Sequence, residues 1–221
     1  DLVQRLEDYP TGIVMVEVDE GGKPTFEIGE DAAWDHWEWN EAIEDKVRSA
    51  DAVCFGTLGQ RGESPRAGIG KALDLAKEEG VMRVLDVNLR PPFFDDALIR
   101  HSLSLCSVFK LSDDELERVC RACGIPISQD PEDSLRAILE KYALEVLVMT
   151  KGAEGAVLLT ADCQFEQPGV KAQVVDTVGA GDSFTAALTL GLLKKDPIPD
   201  LLLNACEVAA RVCSHSGAVP A

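Results

Sequence analysis

The stretch Val174-Val175-Asp176-Thr177-Val178-Gly179-Ala180-Gly181-Asp182-Ser183-Phe184 gathers the residue types that handle phosphate. An apolar run ends, a loop of small residues turns, and a nearly all-apolar helix begins, with Phe184, Ala186, Ala187, Leu188, Leu190 and Leu192 in it. The first amides of a helix have no partner inside it and carry a partial positive charge, so they hold anions. Gly179, Ala180 and Gly181 have little or no side chain, and a phosphate can come close to their N–H groups. Asp182 then sets a carboxylate beside that anion pocket. Two negative groups are not placed together for stability, which points to work: accepting the proton of a hydroxyl as that hydroxyl attacks a phosphoryl group. A carboxylate is a weak base, but the loose transition state of phosphoryl transfer asks for proton removal only late. A plainer alternative stands beside this one, with Asp182 as an N-cap and the glycines as a tight turn.

Other candidates follow apolar runs. Asn88 and Arg90 come just after residues 81–87, where an open α/β sheet places ligands. Arg90 offers a planar cation suited to phosphate oxygens, or is a surface arginine ahead of Pro91-Pro92. Ser112 and Glu115 have capping-box spacing, which accounts fully for Glu115, although the same carboxylate could meet Mg²⁺ through water. Thr150-Lys151-Gly152, followed by Gly155, could wrap a ring or a phosphate with backbone, or form an ordinary β-turn with a solvated lysine. Several motifs lead nowhere. Gly70-Lys71 lacks the Ser or Thr of a P-loop, and Phe184 occupies the third glycine position of a dinucleotide fingerprint. Cys120 and Cys123 have no second pair nearby, so zinc is not expected. His36, His101 and His215 are isolated, and Trp34, Trp37 and Trp39 read as packing beneath a lid rather than as a sugar platform.

These residues need elements to hold them. Leu2, Leu6 and Tyr9 have helical spacing, so residues 1–10 read as the end of a helix. Thr11–Val18 and Pro24–Ile28 read as a hairpin turning at Asp19-Glu20-Gly21-Gly22. Helices and short strands then alternate: helices at 40–49, 65–79, 95–105, 112 onward, 130–142, 182–195 and 199–212, and strands at 52–55, 81–87, 107–110, 146–149, 156–159 and 170–175, with a further short strand near Phe165. Such alternation implies one α/β domain with a largely parallel sheet covered by helices. At 221 residues the fold buries roughly 70% of the extended chain's surface without a staple. Thirty-nine acidic residues against 21 basic ones give a net charge of −18, which makes nucleic acid and anionic membrane poor partners. No apolar run is long enough to span a bilayer, and seven scattered cysteines suit a reducing, cytoplasmic setting.

Asp176-Thr177-Val178-Gly179-Ala180-Gly181-Asp182 resembles the C-terminal signature of the ribokinase-like sugar kinases, the PfkB family. The likeness recurs in order at Asp86-x-Asn88-x-Arg90, Lys110-x-Ser112-x-x-Glu115, Thr150-Lys151-Gly152-x-x-Gly155, Asn204 and Gly217-Ala218, and it runs over essentially the whole chain. Cys54-Phe55-Gly56-Thr57-Leu58-Gly59-Gln60-Arg61 and Gly217-Ala218-Val219-Pro220 are most similar to the fructokinase branch. The resemblance implies a ribokinase-like fold with a lid near the N-terminus and transfer of a phosphoryl group from ATP to a sugar, D-fructose first. It assigns Asp182 as the base, Gly179, Ala180 and Gly181 with Arg90 as the anion hole, and Asn88, Lys110, Ser112, Thr150, Lys151, Gly152, Gly155, Thr177 and Asn204 to the nucleotide. Asn204 would contact the adenine, with Ala209 and Gly217 keeping that wall thin, and core packing is the equal rival. It assigns Glu115 to Mg²⁺, and implies a monovalent cation such as K⁺ in some relatives and a homodimer through the lid. Ser112 stands where the family usually has Asn. The family's opening Gly-Gly and Asn motif does not precede Asp1, so the first strands of the sheet are expected to be missing. The rival readings are a family kinase acting on 2-keto-3-deoxygluconate, ribose or a nucleoside, and a catalytically silent nucleotide-binding module.

Overall fold

The computed structural model describes residues 2–18 and 24–219. Strands β1 (Val14–Val18) and β2 (Pro24–Ile28) pair antiparallel, with Val14 opposite Ile28. This is the expected hairpin; its turn at Asp19-Glu20-Gly21-Gly22 lies outside the described residues. The chain continues through α1 (Glu41–Arg48), β3 (Ala52–Phe55), α2 (Glu63–Glu78), β4 (Met82–Asp86), α3 (Asp96–Leu105), β5 (Val108–Ser112) and α4 (Asp113–Cys123). It ends with α5 (Pro131–Tyr142), β6 (Val146–Thr150), β7 (Gly155–Leu159), β8 (Gln164–Pro168), α6 (Ala180–Lys194) and α7 (Ile198–Cys213).

Six strands form one sheet in the order β3-β4-β5-β6-β7-β8. The first four run parallel, and β7 and β8 add antiparallel. Successive strand residues face opposite ways, and each face meets its own helices. Leu85, Phe109 and Leu147 join a core with Leu73, Ile99, Leu103, Val119, Leu135 and Ile138 from α2 to α5. Their neighbours Val84, Val108 and Val148 face the other way, against Phe184, Leu188, Leu201 and Leu202 of α6 and α7. Full burial of a side chain such as Phe109 or Leu85 contributes about 1.5–3 kcal/mol. Polar residues start the helices where expected. Asn40 accepts from the Ile43 N–H at 3.0 Å, Asp95 from Leu98 at 2.7 Å, and Asp130, ahead of Pro131, from Glu132 at 3.0 Å. No helix among the described residues is long and apolar enough to cross a membrane, and the seven cysteines are free.

Two sequence expectations fail. Residues 2–10 are loop and turn rather than the end of a helix. The Gln4 side chain instead exchanges hydrogen bonds with Glu38, donating to its carbonyl at 2.6 Å and accepting from its N–H at 2.9 Å. Residues 170–175 are not a strand. Their apolar alternation is real, but Val170, Ala172 and Val174 line a cavity instead of a sheet face. The N–H groups of Val175 and Asp176 donate to the Cys213 carbonyl at 2.8 and 3.2 Å, serving an acceptor left open at the end of α7. The strand near Phe165 is present as β8.

The tryptophans pack. Trp34 lies 4.2 Å from the Arg61 guanidinium, which also meets the Phe93 ring at 4.7 Å. Trp37 sits against Gly68 of α2, and Trp39 packs beside Val47 and Leu75. Arg61 fastens the hairpin's base to the sheet, reaching Asp35 through two 2.6 Å bonds and the Gly29 carbonyl through another at 2.6 Å.

Candidate active site

The carboxyl ends of the parallel strands bring the chemistry-bearing residues together. Asp86 ends β4, Ser112 ends β5 and Thr150 ends β6, with Asp86 in register with Lys110 and Ser112 with Thr150. Helix α6 starts above this edge. It begins at Ala180, two residues earlier than the sequence suggests, with Gly179 as its cap at φ +81°. A side chain at Gly179 would come within 2.7 Å of the Ala218 methyl, so both conformation and space require glycine there. Asp182 is therefore the third helical residue. The N-cap alternative is excluded: the cap is Gly179, and the Asp182 carboxylate makes no hydrogen bond among the described residues.

The amides of the loop divide by use. Val178 N–H donates to Asp176 at 2.9 Å, Ala180 N–H to the Thr177 carbonyl at 3.3 Å, and Ser183 N–H to the Gly179 carbonyl at 2.9 Å. Among the described residues, the N–H groups of Gly179, Gly181 and Asp182 meet no protein acceptor. Gly179, Gly181 and Asp182 thus keep N–H groups free to meet an anion, whereas the Ala180 N–H closes the turn.

Neighbouring residues at the start of α6 line two different cavities. One, of about 390 Å³, is lined by Cys54, Gly56, Asp86, Asn88, Asp182 and Thr185 among others. The second, of about 650 Å³, lies behind the loop and includes Thr150, Gly152, Gly155, Thr177, Ala180 and Gly181. Gly181 faces the larger cavity and its neighbour Asp182 the smaller. A long anionic ligand in the larger cavity would end on free amides, one residue from a free carboxylate that faces the other.

Two carboxylates line the smaller cavity, and hydrogen bonding tells them apart. Asp86 is engaged: Lys110 Nζ donates to its two oxygens at 3.1 and 3.0 Å, and the Thr185 hydroxyl donates at 2.8 Å. Burial pushes its carboxyl above the usual range, against the pull of Lys110 and Thr185. Asp182 is exposed and unengaged, the state a proton acceptor needs.

Several expected site residues stand elsewhere. Lys110 is buried under the loop, paired with Asp86, and lines neither cavity. Lys151 pairs with Glu166 of β8, and Arg90 is exposed with its guanidinium on the Leu89 carbonyl at 3.1 Å. Ser112 donates its N–H and hydroxyl to one Glu115 oxygen at 2.8 and 3.0 Å, while the Leu89 N–H takes the other at 2.7 Å. Glu115 thereby ties α4 to the loop that follows β4. Among the described residues there is no cluster of three or more His, Cys, Asp or Glu side chains able to hold a metal. Asn204 is exposed and lines neither cavity; the α7 face turned to the larger cavity carries Cys206, Ala209, Ala210 and Cys213. Those four share one helix face by their spacing, and Asn204 lies about 200° round the helix from Cys206. Lys171 also lines this cavity and is the one cation among its lining residues.

Asp176 holds the loop from the other side. Its oxygens accept the N–H groups of Val178 and Gly217, each at 2.9 Å, and these bonds hold its carboxyl below the usual value. A depressed folded value means that the tie stabilises above the ordinary carboxylate pKa of about 4 and is lost as pH falls through the folded one. Asp176→Ala is thus expected to lower the melting temperature at neutral pH, with the gap closing as the pH drops below about 4. Melting curves across pH test this, and a gap that stayed constant to strong acid would refute it.

Comparison with known proteins gives a consistent picture. Residues 1–221 match the family described as pfkB family carbohydrate kinase. Fructosamine kinase FrlD of Bacillus subtilis is 30% identical over 79% of this chain and 69% of its own length. Fructokinase-2 of Solanum lycopersicum is 30% identical over 80% of this chain and 56% of its own. The chain thus spans between half and about two thirds of these curated relatives. Among solved structures, the fructokinase with bound ATP from Xylella fastidiosa superposes with a TM-score of 0.83 at 20% identity, covering 97% of this chain and 70% of that one.

Proposed function

This chain belongs to the pfkB family of carbohydrate kinases, and we propose that it moves the terminal phosphoryl group of ATP to a hydroxyl of a sugar, with D-fructose as the preferred acceptor. The observation that carries the proposal is that adjacent residues at the start of α6 line two cavities, Gly181 the larger and Asp182 the smaller, where unpaired amides adjoin a free carboxylate. The larger cavity suits the nucleotide. Its α7 wall is made of small side chains, which leaves room for a flat ring, and Gly181, whose N–H is free, is among its lining residues. The sugar then occupies the smaller cavity, with one hydroxyl at Asp182.

In the reaction the acceptor oxygen forms a bond to the terminal phosphorus as the bond to the bridging oxygen breaks, and ADP leaves with that electron pair. Asp182 accepts the hydroxyl proton. The N–H groups of Gly179, Gly181 and Asp182 receive the charge that gathers on the transferring group, in fixed positions that need no reorganisation. Mg²⁺ accompanying the nucleotide supplies further neutralisation. It would rest mainly on phosphate oxygens and water, since Glu115, the carboxylate that the family resemblance assigns to it, has both oxygens engaged by Ser112 and Leu89.

In a chain of net charge −18, Lys171 matters to a polyanionic ligand because it brings local positive charge to the cavity. Lys171→Met is expected to weaken ATP binding about two- to fivefold at low salt, with the difference shrinking as salt rises. Calorimetry at two ionic strengths checks this, and an unchanged affinity would remove Lys171 from the site.

The choice of sugar rests on likeness to fructokinases, and fructosamine kinase FrlD is just as similar. A panel of D-fructose, a fructosamine, ribose, 2-keto-3-deoxygluconate and a nucleoside, offered with ATP and Mg²⁺ to the full-length protein, separates the readings. The highest kcat/KM is expected on D-fructose. Transfer to another member of the panel would move the assignment within the family. ATP binding with no transfer at all would mark a silent nucleotide-binding protein.

A further inference from the structure

We propose that Asp86 is a positioning residue that fixes where the first turn of α6 presents its amides, acting through Thr185 and Lys110; the proposal rests on the kinase reading above. Three contacts converge on that turn. The Thr185 hydroxyl lies 2.8 Å from Asp86 and 3.0 Å from the Gly181 carbonyl one turn earlier in the helix. Lys110 Nζ, held by both Asp86 oxygens, stands where a Gly181 side chain would point, 3.4 Å from an ideal Cβ. Asp86 itself is anchored at the end of β4, in the middle of the parallel strands. One carboxylate thus links α6 to two neighbouring strands, β4 and β5, through contacts that reach Gly181, one of the three residues with a free amide.

Stability alone does not explain this arrangement. The Lys110 and Asp86 side chains are only 8% and 15% exposed, and burying an ion pair costs desolvation that its attraction often fails to recover. Apolar residues of similar volume would hold the layers together as well. What the pair and the hydroxyl add is direction, because hydrogen bonds fix the helix along its axis where apolar packing lets it slide. Catalysis rewards that, since a displacement of about 1 Å can cost roughly 100-fold in rate.

The test compares Thr185→Val, which keeps the shape and loses the hydroxyl, with Thr185→Ser, which keeps the hydroxyl, alone and combined with Asp86→Asn in the full-length protein. Two quantities are read in folded variants: kcat on the preferred sugar, and the affinity for ATP relative to ADP by calorimetry, which reports the grip on the terminal phosphate. Thr185→Val is expected to lower kcat by roughly 10- to 100-fold and to reduce the preference for ATP, and Thr185→Ser to restore most of both. Adding Thr185→Val to Asp86→Asn should cost little more than Asp86→Asn alone, because both act along one path. Equal behaviour of the valine and serine variants, or fully additive losses, would overturn the proposal. If Asp86→Asn fails to fold, the Thr185 pair decides. Should the wild type bind ATP in preference to ADP yet phosphorylate no sugar, the kinase reading fails and the affinity ratio alone judges the positioning role. A wild type with no preference for ATP over ADP overturns both.

Discussion

Asp182→Asn in the full-length protein is expected to lower kcat by roughly 10²- to 10⁴-fold, the range for loss of a general base. Nucleotide affinity should stay the same or tighten, because the substitution removes a negative charge next to bound phosphate. That split follows from the geometry. The carboxylate faces the smaller cavity and makes no bond to the protein, whereas the Gly181 amide faces the larger one. Asparagine keeps the size and the backbone N–H, so the anion-binding amides survive while the proton acceptor is gone. Turnover within a few-fold of wild type would remove Asp182 from the chemistry, and a large loss of ATP affinity would show that it serves binding instead.

Gly155→Ala carries the largest expected effect on the fold. Gly155 opens β7 at φ +103° and ψ −137°, a region that is essentially glycine's alone. An added Cβ would stand 2.0 Å from the Gln167 carbonyl oxygen of β8, so the two strands would have to part beside the larger cavity, which Gly155 lines. Backbone strain of about 1–3 kcal/mol plus the overlap puts the loss at roughly 3 kcal/mol or more, which lowers Tm by about 6–12 °C in a chain of this size. Gly70 in α2 is the control. A Cβ there meets nothing within 4 Å, and Gly70→Ala is expected to stabilise by about 0.5–1 kcal/mol. Thermal melts of both variants test the pair, and a Gly155→Ala protein as stable as wild type would contradict the close β7–β8 pairing at this position.

What could be read ahead of the structure depended on how local the physics was. The glycine loop with free amides before α6 was legible because its features sit in consecutive backbone groups, and the capping box of Ser112 and Glu115 was legible for the same reason. The pairing of Lys110 was not legible because its partner, Asp86, is 24 residues away on the neighbouring strand β4, and nothing near Lys110 in the sequence signals a buried pair. The alternation through Val170, Ala172 and Val174 is a period-two signal in any setting, and it cannot say whether the shared face meets a sheet or a cavity. On α7 the hydrogen-bonding side chain of Asn204 drew attention. The face that lines the cavity, Cys206, Ala209, Ala210 and Cys213, has the spacing and composition of ordinary core. Its only sequence signal is the run of small side chains, which gains meaning once a cavity is known to lie against it.

The central claim is that the free amides at the start of α6 receive the end of a nucleotide whose base lies against α7. A crystal structure of the full-length protein with a non-hydrolysable ATP analogue tests it most directly. The terminal phosphate is expected about 3 Å from the N–H groups of Gly181 and Asp182, with the ring system beside Ala209 and Ala210 and the Asp182 carboxylate turned to the smaller cavity. A nucleotide seated elsewhere, or a triphosphate that leaves those amides untouched, would contradict it.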